Sequence, residues 1–185
     1  LVTTGDLDGR IFRISPRGDY LIYTRKSTKP AAKEINILWA VRTNPGSKPF
    51  PTSVSNVVHF ADWIPGTSSI AYTTVEPRAT APGWQANNDL WRYSISTGEK
   101  KKILDANAGG VYGWWGMTFA FSSNGRLAYA RPDGIGTVDL DGKYIKPTID
   151  IVPPNTHTDW AWLPSISCGA DGKTHYYETH APPSI

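Results

Sequence analysis

The sequence predicts an all-β protein in which four-stranded antiparallel sheets repeat along the chain, and three observations predict it. An apolar run, a turn and a second apolar run recur as FRISPRGDYLIYT at 12–24, FADWIPGTSSIAYT at 60–73 and FAFSSNGRLAYA at 119–130, and more loosely as AWLPSISCGADGKTHYYE at 161–178. Runs such as YLIY and SIAY are apolar at successive positions, as strands buried on both faces require. No window carries a 3.6-residue apolar stripe, and fifteen prolines and seventeen glycines argue against long helices. Four-stranded sheets repeated at roughly 40 to 50 residues are the signature of a β-propeller, whose blades stack face to face.

Each copy opens as a hairpin. Proline presets the first turn angle and glycine accepts positive φ, so the flanking apolar runs pair. Ser15, Pro16 and Gly18 serve this in the first copy, Pro65 and Gly66 in the second, Asn124 and Gly125 in the third, and Asp171 and Gly172 in the fourth. Tyr23, Tyr72, Tyr129 and Tyr177 follow these turns at spacings of 49, 57 and 48. A second element follows the first three hairpins: ILWAVRTNPG at 37–46, DLWRYSISTG at 89–98 and DGIGTVDLDG at 133–142. In it Trp39, Trp91 and Ile135 each precede a glycine (Gly46, Gly98, Gly142) by seven residues. A polar, lysine-bearing strand such as EKKKIL then completes four strands. The expected units are about 10–56, 57–108 and 116–155, with a partial unit at 156–185.

The turns and the stretch DLWRYSISTGEKKKIL resemble the TolB-type propeller repeat, in which a Trp-Ser-Pro-Asp-Gly turn and strand precede an Asp-Leu-Trp-x-Tyr-Asp-x-x-Thr-Gly strand. The chain departs from that pattern at Arg17, at Ile-Pro-Gly in the second copy, and around Ser165–Cys168, where the fourth copy reads as carrying an insertion. About three and a half blades fall short of a closed ring, so the remaining blades are expected from a longer chain or from another chain. A four-bladed ring completed by the N-terminal strand is the alternative. GDLDGR at 5–10 reads as the tail of an earlier element.

Composition restricts function more than it reveals it. Nineteen basic against sixteen acidic residues give a net charge of +3 spread along the chain, which is not a nucleic-acid footprint. The one cluster, Lys100 to Lys102, reads as an edge strand that repels sheet-to-sheet pairing. A single cysteine, Cys168, excludes an internal disulfide or a multi-cysteine metal site. No run approaches the roughly 20 apolar residues that span a bilayer.

No catalytic residue is assigned. His59, His157, His175 and His180 lack ligand spacing, so no metal and no cofactor is expected. No Gly-x-Ser-x-Gly elbow is present. Asp139 and Asp141 read as turn carboxylates rather than an acid/base pair. Of the eight tryptophans, Trp39, Trp63, Trp91 and Trp162 sit in repeat register and are expected to pack between blades. Trp84, Trp114 and Trp115 fall instead in the insertions APGWQANN and GGVYGWWGM. Gly-flanked aromatics on loops offer large contact area at low rotamer entropy, and these three are the candidate ligand-binding residues.

The expected function is a non-catalytic scaffold presenting rim loops to a protein or peptide partner, with a glycan as the other ligand class. The expected location is periplasmic, secreted or at the cell surface. The alternatives are the substrate-gating propeller of a prolyl-oligopeptidase-type serine peptidase, which carries a similar repeat, or part of a polysaccharide-lyase-like enzyme.

Overall fold

The computed structural model describes residues 7–28, 33–77, 84–104, 118–123, 125–131, 134–143, 145–150 and 165–178. Among them there are strands and turns and no helix. Blade 1 is the meander of β1 (Leu7–Ile14), β2 (Tyr20–Lys26), β3 (Asn36–Arg42) and β4 (Phe50–Ser55). Blade 2 is β5 (Ala61–Trp63), β6 (Ser69–Pro77), β7 (Trp84–Ser94) and β8 (Lys100–Leu104). Blade 3 is β9 (Thr118–Phe121), β10 (Leu127–Arg131), β11 (Gly134–Val138) and β12 (Lys146–Asp150). A fourth sheet holds β13 (Ser165–Cys168) and β14 (His175–Glu178). Every pairing is antiparallel between neighbours in sequence, and the first strands meet where β1 touches β5 and β9 touches β13. This is the propeller architecture that the repeat predicts.

The repeat is visible bond by bond at the first turns. Gly18 N donates to Ser15 O, Thr67 N to Ile64 O, Gly125 N to Ser122 O and Gly172 N to Gly169 O, at 2.8 to 3.2 Å. Ser15 N to Tyr20 O, Ile64 N to Ser69 O, Ser122 N to Arg126 O and Gly169 N to Thr174 O then close the four hairpins at 2.8 to 2.9 Å. The turn glycines of both hairpin series have φ between +67° and +81°, where a β-carbon is strained.

The core lies between blades. Ile11, Ile22, Leu38, Ala40 and Val54 of blade 1 pack on Ala61, Trp63, Ile70, Tyr72 and Tyr93 of blade 2. Ala71, Leu90 and Ile103 of blade 2 pack on Leu127, Tyr129 and Val138 of blade 3, with Phe60, Phe119 and Phe121 half-buried at the seam. Strands covered on both sides explain the runs apolar at successive positions.

Three alignments shift. Tyr129 pairs with Gly136, as Tyr23 pairs with Trp39 and Tyr72 with Trp91, so Gly136 and not Ile135 holds the tryptophan position in blade 3. The reason is steric: a β-carbon there would lie 2.5 Å from the Tyr129 hydroxyl and 2.8 Å from Lys146 O. Ser165–Cys168 is no insertion but the first strand itself, and Cys168, opposite His175, occupies the position that Trp63 holds opposite Ile70. Trp162 lies outside the described residues. Leu7–Arg10 belongs to β1, because Leu7 pairs with Arg25 across an irregularity at Gly9, whose φ is +75°.

Candidate binding rim

An up-and-down meander sorts its connections onto two rims. The turns between first and second strands and between third and fourth strands share one rim. The links from second to third strand and from blade to blade share the other. On the first rim the turns are tight. A cleft of about 40 Å³ between the Pro16–Asp19 and Gly66–Ser68 turns has Trp63 and Tyr20 in its lining, room for little more than a water molecule. Asp19 lines it too, and a hydrogen bond of 2.7 Å from the Ser15 hydroxyl holds its carboxyl below the ordinary aspartate value.

The second rim is built differently. β5 and β6 separate after the Ala61–Tyr72 pair, and among the described residues the pairing of β7 with β8 reaches Leu90–Leu104. β6 and β7 nevertheless continue together through Thr74–Asn87, Val75–Ala86, Glu76–Gln85 and Pro77–Trp84. Past Val75, whose N–H still bonds Asn56 O, the Glu76–Gln85 and Pro77–Trp84 pairs at about 3.3 Å per residue carry the two strands roughly 7 Å beyond the blade 1 link. Trp84 stands at the outer end of this arm, opposite Pro77. Trp114 and Trp115 lie outside the described residues. The segment that carries them joins Leu104 of β8 to Thr118 of β9, and so leaves from and returns to this same rim.

The base of the arm is anchored to blade 1. Thr73 N donates to Phe60 O at 3.0 Å and Val75 N to Asn56 O at 2.8 Å, so the 56–60 link runs beside β6 as a substitute strand. Asn56 has φ +59°, which an asparagine tolerates better than most side chains. Its Oδ1 accepts from Ile35 N at 2.8 Å and its Nδ2 donates to Lys33 O at 3.3 Å, tying the blade 1 loop to the link. Buried Asn36 completes the anchor. Its Nδ2 donates to Val57 O at 2.8 Å and Asp8 Oδ2 at 2.6 Å, and its Oδ1 accepts from Val57 N at 2.9 Å. Asp8 in turn meets Arg10 Nε at 3.1 Å. Sequence reasoning missed both asparagines. The available signal was an amide directly before each of two apolar stretches, Asn36 before ILWAV and Asn56 before VV.

The other singled-out residues hold structural positions. Trp39 and Trp91 are half-buried beneath cations, Arg25 at 4.6 Å and Lys102 at 5.1 Å from the ring centroids. β8 is a lysine edge, with Lys102 2.8 Å from Asp89 and Lys100 bonded to Ser53 O of blade 1. Asp139 meets Arg126 at 3.4 Å and Asp141 meets Lys143 at 3.5 Å, in turn roles. Hydrogen bonds from the Thr174 hydroxyl, Thr174 N and Lys173 N bring the Asp171 carboxyl down to about 2. The Cys168 thiol points at Ala120 O, 3.6 Å away, and burial pushes its pKa up, which suits packing rather than nucleophilic attack. His59 precedes blade 2 and His175 lies in the fourth sheet, while His157 and His180 fall outside the described residues. Among the described residues no three His, Cys, Asp or Glu side chains gather as metal ligands. Among them too, no helix is long and apolar enough to cross a membrane.

No protein-family model matches the chain, and no curated protein matches it either. Solved structures do. TolB from Acinetobacter baumannii superposes with a TM-score of 0.58 at 15% identity, over 94% of this chain and 38% of its own. A puromycin-hydrolyzing peptidase of Mycobacterium tuberculosis superposes with a TM-score of 0.53 at 13% identity, over 91% of this chain and 25% of its own. The chain thus spans well under half the length of these structures, and at such identities the likeness shows the propeller fold.

Proposed function

We propose that this chain is an arc of a non-catalytic, extracytoplasmic β-propeller that presents its second rim to a protein or peptide partner, with a glycan as the other ligand class. The β6–β7 arm supports this reading: its outer pairs extend past the blade 1 link, and main-chain bonds with buried Asn36 and half-buried Asn56 hold its base. A projection of that kind is not needed to fill a propeller core. It brings Trp84 to the rim from which the Trp114–Trp115 segment departs. The test is to probe peptide and glycan arrays with the chain and with Trp84→Ala, Trp114→Ala and Trp115→Ala. Loss of binding by tenfold or more, about 1.4 kcal/mol, with unchanged melting is expected. Binding to neither array, or binding that ignores all three substitutions, refutes the reading.

Likeness to the peptidase supports a second reading, in which the arc belongs to a substrate-gating propeller. A Gly-x-Ser-x-Gly elbow elsewhere in the parent polypeptide would decide for it. A lyase-like role predicts one bound metal per chain, lost on replacing His157 or His175, and elemental analysis measures that.

A further inference from the structure

Phe12 and Ala61 hold equivalent places, opposite Tyr23 and Tyr72. Counting back from them sets Leu7–Ile11 of blade 1 level with the 56–60 link that enters blade 2, and matches Asp8 to Val57. Each segment runs beside the second strand of its blade: Leu7 pairs with Arg25 of β2, and the link bonds Thr73 and Val75 of β6. The two entry segments thus fill one place in the repeat, and one side chain touches both.

That side chain is Asn36, at the start of β3 and 0% exposed. Its carboxamide pairs with Val57 as a peptide group would, accepting from Val57 N at 2.9 Å and donating to Val57 O at 2.8 Å. Val57 is also fully buried, so the carboxamide stands in for the water that these main-chain groups lack. The second Nδ2 proton goes to Asp8 Oδ2 at 2.6 Å, across the width of β2. A carboxylate only accepts, so Asp8 fixes which end of the carboxamide meets Val57 N. The Asp8 side chain is 5% exposed and pairs at 3.1 Å with Arg10 of its own segment. Among the described residues, Asn36 is its partner outside that segment.

The segment itself is loosely attached. After Leu7 the ladder to β2 lapses until Phe12, Gly9 turns at φ +75°, and Ile11 N bonds the Thr24 hydroxyl at 3.2 Å in place of a strand carbonyl. We infer that Asn36 relays the position of Leu7–Ile11 to the β6–β7 arm. While Asp8 is seated, the carboxamide fixes the link and the base of the arm. When the segment lifts, the carboxamide turns from Val57 and the link releases Thr73 and Val75. The second rim is thereby coupled from blade to blade. Its effect on a ligand rests on the rim reading, whereas the coupling rests on these bonds.

Hydrogen exchange read amide by amide on the 185-residue chain, without ligand, tests the relay. Gly9→Ala strains the segment at its positive φ, and its β-carbon meets nothing within 4 Å, so it reaches the arm only through Asp8 and Asn36. Exchange at Val57, Thr73 and Val75 should quicken by about tenfold or more, the scale set by losing a hydrogen bond to a charged group, while Tyr129 of blade 3 keeps its rate. Asp8→Ala should do the same, and Asp8→Asn, which keeps an accepting oxygen, should recover most of the protection. Asn36→Asp sets a second carboxylate against Asp8 and should quicken all three amides, and adding Asp8→Asn should reverse part of that. Melting curves check each fold. Quickening confined to Ile11 in Gly9→Ala, quickening shared equally by Tyr129, or an unchanged Val57 in Asp8→Ala overturns the relay. If exchange responds as expected while the peptide and glycan arrays stay blank, the rim reading fails and the relay stands.

Discussion

Trp63→Ala is the most informative perturbation of the stacking on which the arc depends. Trp63 is 3% exposed, sits at the seam of blades 1 and 2, lies 6.0 Å from the Tyr20 ring, and donates its indole N–H to Arg13 O of the neighbouring blade at 3.2 Å. Truncating a buried tryptophan costs about 3–5 kcal/mol through lost transfer energy and the cavity left behind. The lost inter-blade hydrogen bond adds about 0.5–1.5 kcal/mol, so the whole comes to about 4–6 kcal/mol. For a chain of this size that lowers the melting temperature by about 10–20 °C, a large part of the stability of any domain. Trp63→Phe keeps most of the buried area and loses the bond, so about 1–2 kcal/mol is expected. Trp91→Ala should be milder than Trp63→Ala, because Trp91 is only half-buried beneath Lys102. Urea and thermal melts of the three variants measure the order. A Trp63→Ala loss below about 1 kcal/mol, or one no larger than that of Trp91→Ala, refutes blade stacking as the source of stability.

Gly142→Ala should destabilise more than Gly98→Ala. Both have positive φ, costing about 1–2 kcal/mol for a β-carbon, but only at Gly142 would that carbon meet Ile103 O of the neighbouring blade, at 2.7 Å. Equal melting temperatures for the two variants would contradict the placement. Because the folded pKa of Asp171 is depressed to about 2, its contribution is present above the unfolded value and lost as pH falls from about 4 towards 2. Asp171→Asn should remove that part of the acid dependence, and an NMR titration should find the carboxyl well below ordinary aspartates. Burial, with Tyr93 beside it, raises the Tyr72 phenol above the usual tyrosine range. The neutral phenol is thus favoured by folding, and its contribution, full below about pH 10, is lost as pH rises. Absorbance titration should show a tyrosine that ionises only as the chain unfolds, and Tyr72→Phe should eliminate that late step.

The repeat was legible because a propeller blade states its geometry locally. A proline or serine, a glycine and an aromatic strand end encode a turn within about six residues, and all four such turns form as read. Register was harder, since it depends on what the next sheet leaves room for. Ile135 and Gly136 look interchangeable beside a distant Gly142, and only the Tyr129 ring decides between them. Trp162 looked equivalent to Trp63 by its apolar flanks, yet Cys168 takes that place because pairing counts back from Tyr177.

The candidate site was legible only as an oddity of composition, tryptophans outside the repeat. What gives Trp84 its position is non-local. β6 and β7 could have parted where β5 and β8 do, and they continue because residues 56–60 supply Phe60 O and Asn56 O to the amides that would otherwise lack partners. Asn56 can do so only while its carboxamide grips Ile35 N and Lys33 O across blade 1. The rim of blade 2 is therefore held by side chains of blade 1. Cutting that hold should loosen the base of the arm from a distance. Hydrogen exchange at Thr73 and Val75 should quicken in Asn56→Ala, and exchange no faster than in the unsubstituted chain would refute that dependence.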